Sequence, residues 1–238
     1  MNHSNKLSIN MTKGESTAGW IFLACYLVIL PLLLQYLFII MGLDASTTAG
    51  KVQLNVLFYI ISFVSCLVVF NKYLMGNFTQ IFKHFWAFVQ SVILGGFMYG
   101  FFYQILKYAA SRIAPELGNP NNDAVFAMVE VNRPVMVASI VAVVPVIEEC
   151  LFRGVVFRGI YGKSRLSAYM ISALAFSLIH VLSYTGQLTR FSGLLLTVLY
   201  LPAGVALAWT YERADSIFAP ILLHGLINAY TLGFRFLR

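Results

Sequence analysis

Charge is scarce in this 238-residue chain: 11% of its residues are Asp, Glu, Lys or Arg, while 60% are apolar or aromatic. Soluble domains carry roughly 25% charged and about 45–50% apolar residues. A chain so poor in charge cannot cover a folded surface with polar groups, which excludes a soluble monomer. The few charges also avoid long stretches. None falls within 16–43, 52–71, 85–106 or 191–211, and 166–189 and 216–234 contain only the histidines His180 and His224. Crossing ~30 Å of hydrocarbon takes about 20 mostly apolar residues in a helix. Only helices and closed barrels satisfy every backbone group there, and runs this continuous mean helices. The fold expected is all-α: a polytopic transmembrane helical bundle in one domain.

Cysteine is equally sparse. Cys25, Cys66 and Cys150 are odd in number and lie within apolar segments, which argues against a disulfide framework. They read as small buried hydrophobes. No internal repeat or low-complexity tract divides the chain. The first apolar run far exceeds the about 7–15 residues of a signal-peptide core, so it is expected to remain as an anchor. The 16 Lys and Arg are scattered between hydrophobic segments despite a net charge of +7. They read as topology determinants and contacts to membrane lipids, with no nucleic-acid partner.

A polar N-terminal tail over 1–17 is expected, then a transmembrane domain over 18–238. Seven spans are placed at 18–42, 53–71, 85–108, 134–152, 167–184, 192–211 and 216–234. Room for an eighth short helix remains within 154–163, and 77–84 can extend the third span along the interface. The connection 109–133 contains Gly118-Asn119-Pro120-Asn121-Asn122-Asp123, a turn in which Asp123 can cap a helix over 124–130. It reads as a connector or as a lid over a site. With the N-terminus inside, nine Lys and Arg fall on the cytoplasmic side (Arg153 among them) against seven opposite, a small bias toward N-in.

Ionisable groups inside such helices cost ~2.5–3.5 kcal/mol each at mid-membrane and point to function. Glu148 and Glu149 stand together at the end of an apolar run, followed by Arg153. At 100° per residue Arg153 lies about 40° around the helix from Glu149 and about 140° from Glu148. Glu149 and Arg153 are thus placed to pair. Glu148 has no local counter-charge and is suited to act as a general base. Pro145 frees the carbonyl of Val141 and should open the helix there. His180 lies late in an uncharged run. His224 and Asn228 share a helical face, and Gly225 beside them leaves room for close approach. Two such donors suit a developing oxyanion.

Several chemistries compete for these residues. Glu148, His180 and His224 could supply three zinc ligands, but no His-Glu-x-x-His helix is present, so a divalent metal is not favoured and no cofactor is expected. Cys150 lies about 100° from Glu149 and about 200° from Glu148, and burial would leave its thiol inert. No Gly-x-Ser-x-Gly elbow supports a serine nucleophile. Transporters use intramembrane Glu and His as well, yet usually show two related halves, which are not visible here.

Taken in order, Glu-Glu-x-x-x-Arg (Glu148, Glu149, Arg153), Phe-x-x-x-His (Phe176, His180) and His-x-x-x-Asn (His224, Asn228) resemble the CPBP family. That family includes the CAAX prenyl proteases and the bacteriocin-processing or Abi proteins, which are intramembrane glutamate endopeptidases. The resemblance covers about 134–234. It implies an intramembrane cavity, with Glu148 as the base that activates a water. His180 would assist with that water, His224 and Asn228 would hold the oxyanion, and Glu149 and Arg153 would support the site. It also implies no metal, a peptide or protein substrate at the membrane, and a site near the cytoplasmic side. The short loops and small size point to a bacterial plasma membrane, and bacterial members of the family are associated with maturation of secreted peptides. A non-proteolytic scaffold or bacteriocin-immunity protein of the same fold is the alternative. Neither the substrate nor the oligomeric state is written in these motifs.

Overall fold

The structure, a computed structural model, describes residues 7–236, with side chains through residue 233. Of the cations counted for topology, Lys6, Arg238 and the Arg235 side chain lie outside the described residues. Among those described there are nine helices and no strand. We number them α1 (Lys13–Ile40), α2 (Thr48–Val69), α3 (Asn71–Lys83), α4 (Phe85–Ile113), α5 (Pro120–Val131), α6 (Arg133–Tyr161), α7 (Arg165–Leu182), α8 (Arg190–Ala214) and α9 (Phe218–Phe236).

Six of these, α1, α2, α4, α6, α7 and α8, are long and apolar enough to cross a membrane. The expected seventh span corresponds to α9, whose apolar stretch Phe218–Gly233 is shorter. The bundle class therefore stands, and its helix ends differ from those expected. Caps explain most of the difference. Thr12 accepts from the Glu15 amide at 3.1 Å while Glu15 accepts from the Thr12 amide at 2.9 Å, a reciprocal cap that starts α1 at Lys13. Thr47, Ser164 and Thr189 likewise cap α2, α7 and α8. Asn119, rather than Asp123, caps α5. Residues 77–84 do not extend α4: the chain breaks at His84, and they belong to α3, a separate helix.

The largest departure is α6. It was expected to end at 152, with room for an eighth short helix within 154–163, but it continues unbroken to Tyr161. Arg153 read as a polar end; instead it is fully buried. Glu148 consequently sits near the middle of its helix, not late in it. Arg153 also ceases to be a surface cation, so the topological bias falls to eight against seven.

Prolines shape the interior. Ahead of Pro31 and Pro145 the helix widens into π turns at Cys25–Ile29 and Ser139–Val143, where the Leu30 and Val144 amides reach back five residues. A wider turn relieves the clash of the proline ring with the carbonyl four residues earlier. A third π stretch, Cys150–Phe157, carries Arg153. Among the spans α6 is the most buried, and α8 packs along both α4 and α7. A methyl group at Gly204 of α8 would lie 2.8 Å from the Ala173 backbone of α7, the close approach that small residues permit between membrane helices.

Residues 7–12 are not a free tail. Leu7 is buried, the Ser8 amide donates to Asp215 at 2.7 Å, and Arg158 donates to the Leu7 carbonyl at 3.1 Å. Glu15 accepts from the Tyr73 amide at 2.8 Å. The segment closes the end of the bundle where α6 ends and α8 turns into α9. Asp215 makes that turn at φ 52°, in the left-handed region. Cys66 and Cys150 are buried as expected, while Cys25 is half-buried; all three are free thiols.

Candidate active site

The site is assembled from α6, α7 and α9 around one cavity of about 1680 Å³. Glu148, His180, His224 and Asn228 all line it, whereas Glu149 and Arg153 do not. The helical angles account for that division: Glu148 points into the cavity, and Glu149 points into protein on the face that Arg153 shares.

The Glu149–Arg153 pair is the anchor. Arg153 Nη1 donates to Glu149 Oε1 at 3.0 Å, and both side chains have 0% exposure. Arg153 Nη2 donates to the Gly204 carbonyl at 3.0 Å, and the guanidinium lies 4.5 Å from the Phe176 ring centre. Glu149 Oε1 also accepts from His224 Nδ1 at 2.9 Å. The paired carboxylate is an acceptor, so it fixes the proton on Nδ1 and turns Nε2 of His224 toward the cavity. His224 Nε2 then lies 3.9 Å from Glu148 Oε2, too far for a hydrogen bond.

His180 is oriented the same way by a different acceptor. Its Nδ1 donates to the Phe176 carbonyl one turn earlier at 2.8 Å. A carbonyl can only accept, so the proton sits on Nδ1 and Nε2 of the neutral ring keeps its lone pair. His180 and Tyr59 of α2 interact electrostatically with Glu148 across the cavity, and the Tyr26 hydroxyl of α1 is within hydrogen-bonding reach of the same carboxylate.

Glu148 is 6% exposed, and its Oε2 has no hydrogen-bond partner among the described residues. Buried polar atoms are rarely left so. Glu149 Oε2 and Arg153 Nε share this condition, but they sit away from the cavity.

The opened helix is also where α9 docks. Asn228 Nδ2 donates to the Ile140 carbonyl at 2.8 Å. A methyl group on Gly225 would meet the Val141 carbonyl oxygen at 2.6 Å. The carbonyl expected to be freed by Pro145 and the glycine expected to permit close approach thus face each other. His224 and Asn228 do not, however, present two unengaged groups to one point, since each already gives one N–H to protein. Asn228 retains its second amide hydrogen, and His224 retains Nε2.

Three asparagines missed by sequence reasoning, Asn119, Asn121 and Asn122, line the cavity from the start of α5. The 109–133 connection therefore forms part of the cavity wall. Lys107, Tyr184 and Tyr200 lie on the same stretch of wall. Because successive spans alternate in direction, this stretch is at the end of the bundle away from residues 7–12. Among the described residues, no group of three His, Cys, Asp or Glu is arranged to hold a metal ion.

A large cavity among candidate membrane spans, walled by a buried carboxylate and two oriented imidazoles, places the chain in a class: polytopic helical membrane proteins with a polar interior site. Residues 130–230 match the family described as "Type II CAAX prenyl endopeptidase Rce1-like", so the resemblance read from the sequence holds. The chain is also 25% identical over 222 residues to "Putative membrane peptidase YdiL" of Bacillus subtilis (strain 168), covering 87% of this chain and 81% of that protein. No solved structure matches. These similarities support an integral multi-pass membrane protein of the protease type.

Proposed function

We propose that this protein is an intramembrane glutamate endopeptidase in which Glu148 activates water for attack on a peptide carbonyl. The observation that carries the reading is the bare Glu148 Oε2 on the cavity wall, 3.9 Å from His224 Nε2. In this scheme Glu148 takes a proton from water as the oxygen bonds to the carbonyl carbon. The resulting carboxylic acid then gives that proton to the departing amine as the C–N bond breaks, which restores the carboxylate.

The two tautomers assign different parts to the histidines. His180, with its Nε2 lone pair in the cavity, holds the attacking water. His224 can donate from Nε2 to an oxyanion only as the imidazolium, with the Glu149 carboxylate accepting from its Nδ1. The second hydrogen of the Asn228 amide is the other donor. No step requires a metal or cofactor. The cavity, walled by Phe and Tyr with a few asparagines, suits a substrate with an apolar or lipidated segment beside an extended peptide. A secreted-peptide precursor in a bacterial plasma membrane fits that description, and the N-in orientation is retained as the working topology.

The test is a comparison of secreted and membrane-bound peptides from cells expressing wild type, Glu148→Gln or His180→Ala at equal protein levels. Gln matches Glu in size and cannot act as a base. Both variants are expected to lose the same product, with Glu148→Gln reducing cleavage by about 10²–10⁴-fold. Variants that behave as wild type, where a deletion does not, would replace this reading with a non-proteolytic scaffold or immunity role.

A further inference from the structure

Tyr200 takes no part in the steps above, yet it is in direct contact with one of their residues. Its ring stacks on the His180 imidazole, with centres 4.6 Å apart and 25° between the planes. Its hydroxyl accepts from Asn119 Nδ2 at 3.1 Å and from Asn121 Nδ2 at 3.2 Å, and it donates to Asn119 Oδ1 at 3.2 Å. Asn122 Oδ1 stands 3.5 Å away. Any buried tyrosine needs a partner for its hydroxyl. This one draws its partners from the polar start of α5, the helix of the connection that walls the cavity.

The geometry constrains His180 twice. Stacking against Tyr200 restricts the plane of the imidazole. The hydrogen bond to the Phe176 carbonyl restricts rotation within that plane. The Phe176 ring also touches the imidazole, with centres 4.8 Å apart but tilted by 50°, so Tyr200 is the neighbour whose near-parallel stacking fixes the ring plane and with it the direction of Nε2. We propose that Tyr200 is the positioning residue for His180, and that the asparagines opening α5 hold Tyr200 in register. The kinetic consequence rests on the protease reading; the effect on the imidazole does not.

Three variants separate the parts. Tyr200→Leu removes ring and tether, and Tyr200→Phe keeps the ring alone. Asn119→Ser keeps a capping oxygen for α5 but is too short to reach Tyr200. In cleavage assays Tyr200→Leu should lower kcat by about 10-fold or more with KM within about twofold, because misplacement weakens the transition state rather than binding. Tyr200→Phe and Asn119→Ser should each lower kcat by about threefold. Asn119→Ser should cost nothing more in the Tyr200→Phe background, since both act through one hydroxyl. A raised KM with unchanged kcat would make Tyr200 a substrate-contacting wall and overturn the proposal, as would full additivity of the two substitutions.

A measurement independent of turnover uses ¹⁵N-histidine side-chain spectra in detergent. The chain has four histidines, and His180→Ala identifies the signal. In wild type this signal should report a single Nδ1–H tautomer. In Tyr200→Leu it should shift with loss of the ring current and report a tautomer mixture. An unchanged His180 resonance in Tyr200→Leu overturns the proposal even if kcat falls. Should Glu148→Gln cleave normally, the reading of Glu148 as the base fails, and the spectra still decide whether Tyr200 holds His180.

Discussion

Replacing Glu149 with Gln should separate the two adjacent carboxylates by what each does for the fold. Glu149 Oε1 takes hydrogen bonds from Arg153 at 3.0 Å and from His224 at 2.9 Å. In Glu149→Gln the guanidinium stays buried, held by the Gly204 carbonyl and the Phe176 ring, but loses its hydrogen-bonded counter-charge and keeps only the more distant Glu148. Removing one partner of a buried pair costs ~3–5 kcal/mol. The Gln oxygen can still accept, and a neutral acceptor retains part of a charge-assisted bond, so the lower value, about 3 kcal/mol, is expected. At ~2–4 °C per kcal/mol for a chain of this size, the apparent Tm in detergent should fall by about 6–12 °C.

Glu148→Gln removes only the long contact to His224 and keeps an acceptor for Tyr26, and should leave Tm within about 2 °C of wild type while abolishing cleavage. A Glu149→Gln/Arg153→Met double variant should recover most of the lost stability, because apolar replacements of buried ion pairs are often neutral or better. It should not recover activity, since His224 loses the charged acceptor that orients it. The measurement is thermal unfolding of purified protein in one detergent, followed by intrinsic fluorescence. A Glu149→Gln protein as stable as wild type, or a Glu148→Gln protein as unstable as Glu149→Gln, would refute the division of labour between the two residues.

Two further outcomes are expected. Gly225→Ala places a methyl group 2.6 Å from the Val141 carbonyl oxygen; forcing α9 off α6 should cost about 1–3 kcal/mol in stability and also reduce cleavage, although Gly225 touches no reacting group. One added cysteine at a time, Asn121→Cys or Lys163→Cys, in a Cys25→Ala protein whose remaining Cys66 and Cys150 are fully buried, should react with an impermeant thiol reagent from opposite sides of the membrane. In the N-in topology Lys163→Cys is the cytoplasmic one; labelling of both from the same side would refute the alternation of spans that puts the asparagine wall at the far end of the bundle.

The spans were legible because hydrocarbon imposes length and polarity on the sequence directly. Their ends were less so, because caps lie outside the apolar runs. Thr12-Lys13-Gly14-Glu15 carries the capping-box spacing in plain view, but it sits among polar residues that read as tail. The end of α6 was misplaced for a deeper reason. Arg153 looks like a boundary until its carboxylate, carbonyl and aromatic partners are known, and two of those three come from other helices. The i, i+4 relation of Glu149 to Arg153 could be computed from one helix. The bond from His224 to Glu149 spans 75 positions in the chain and could not. Tyr200 was least visible: within an uncharged span it is one aromatic among many, and only the fold brings it to His180.

The costly features of α6 belong together. A buried ion pair and a proline-widened helix each weaken a bundle that apolar residues could fill better. Each nevertheless fixes the position of α9. The π turn before Pro145 turns the Ile140 and Val141 carbonyls toward Asn228 and Gly225, which sets the depth of α9 against α6. Arg153 holds the Glu149 carboxylate in place as an acceptor, which sets the rotation of the His224 ring. With depth and rotation both fixed, His224 Nε2 comes to 3.9 Å from Glu148 Oε2 without bonding to it. A direct bond would tie up the oxygen that the proposed reaction needs as a base. In this arrangement stability is given up to hold two polar groups near each other and apart, and Glu148 Oε2 is the cavity-facing atom left without a hydrogen bond.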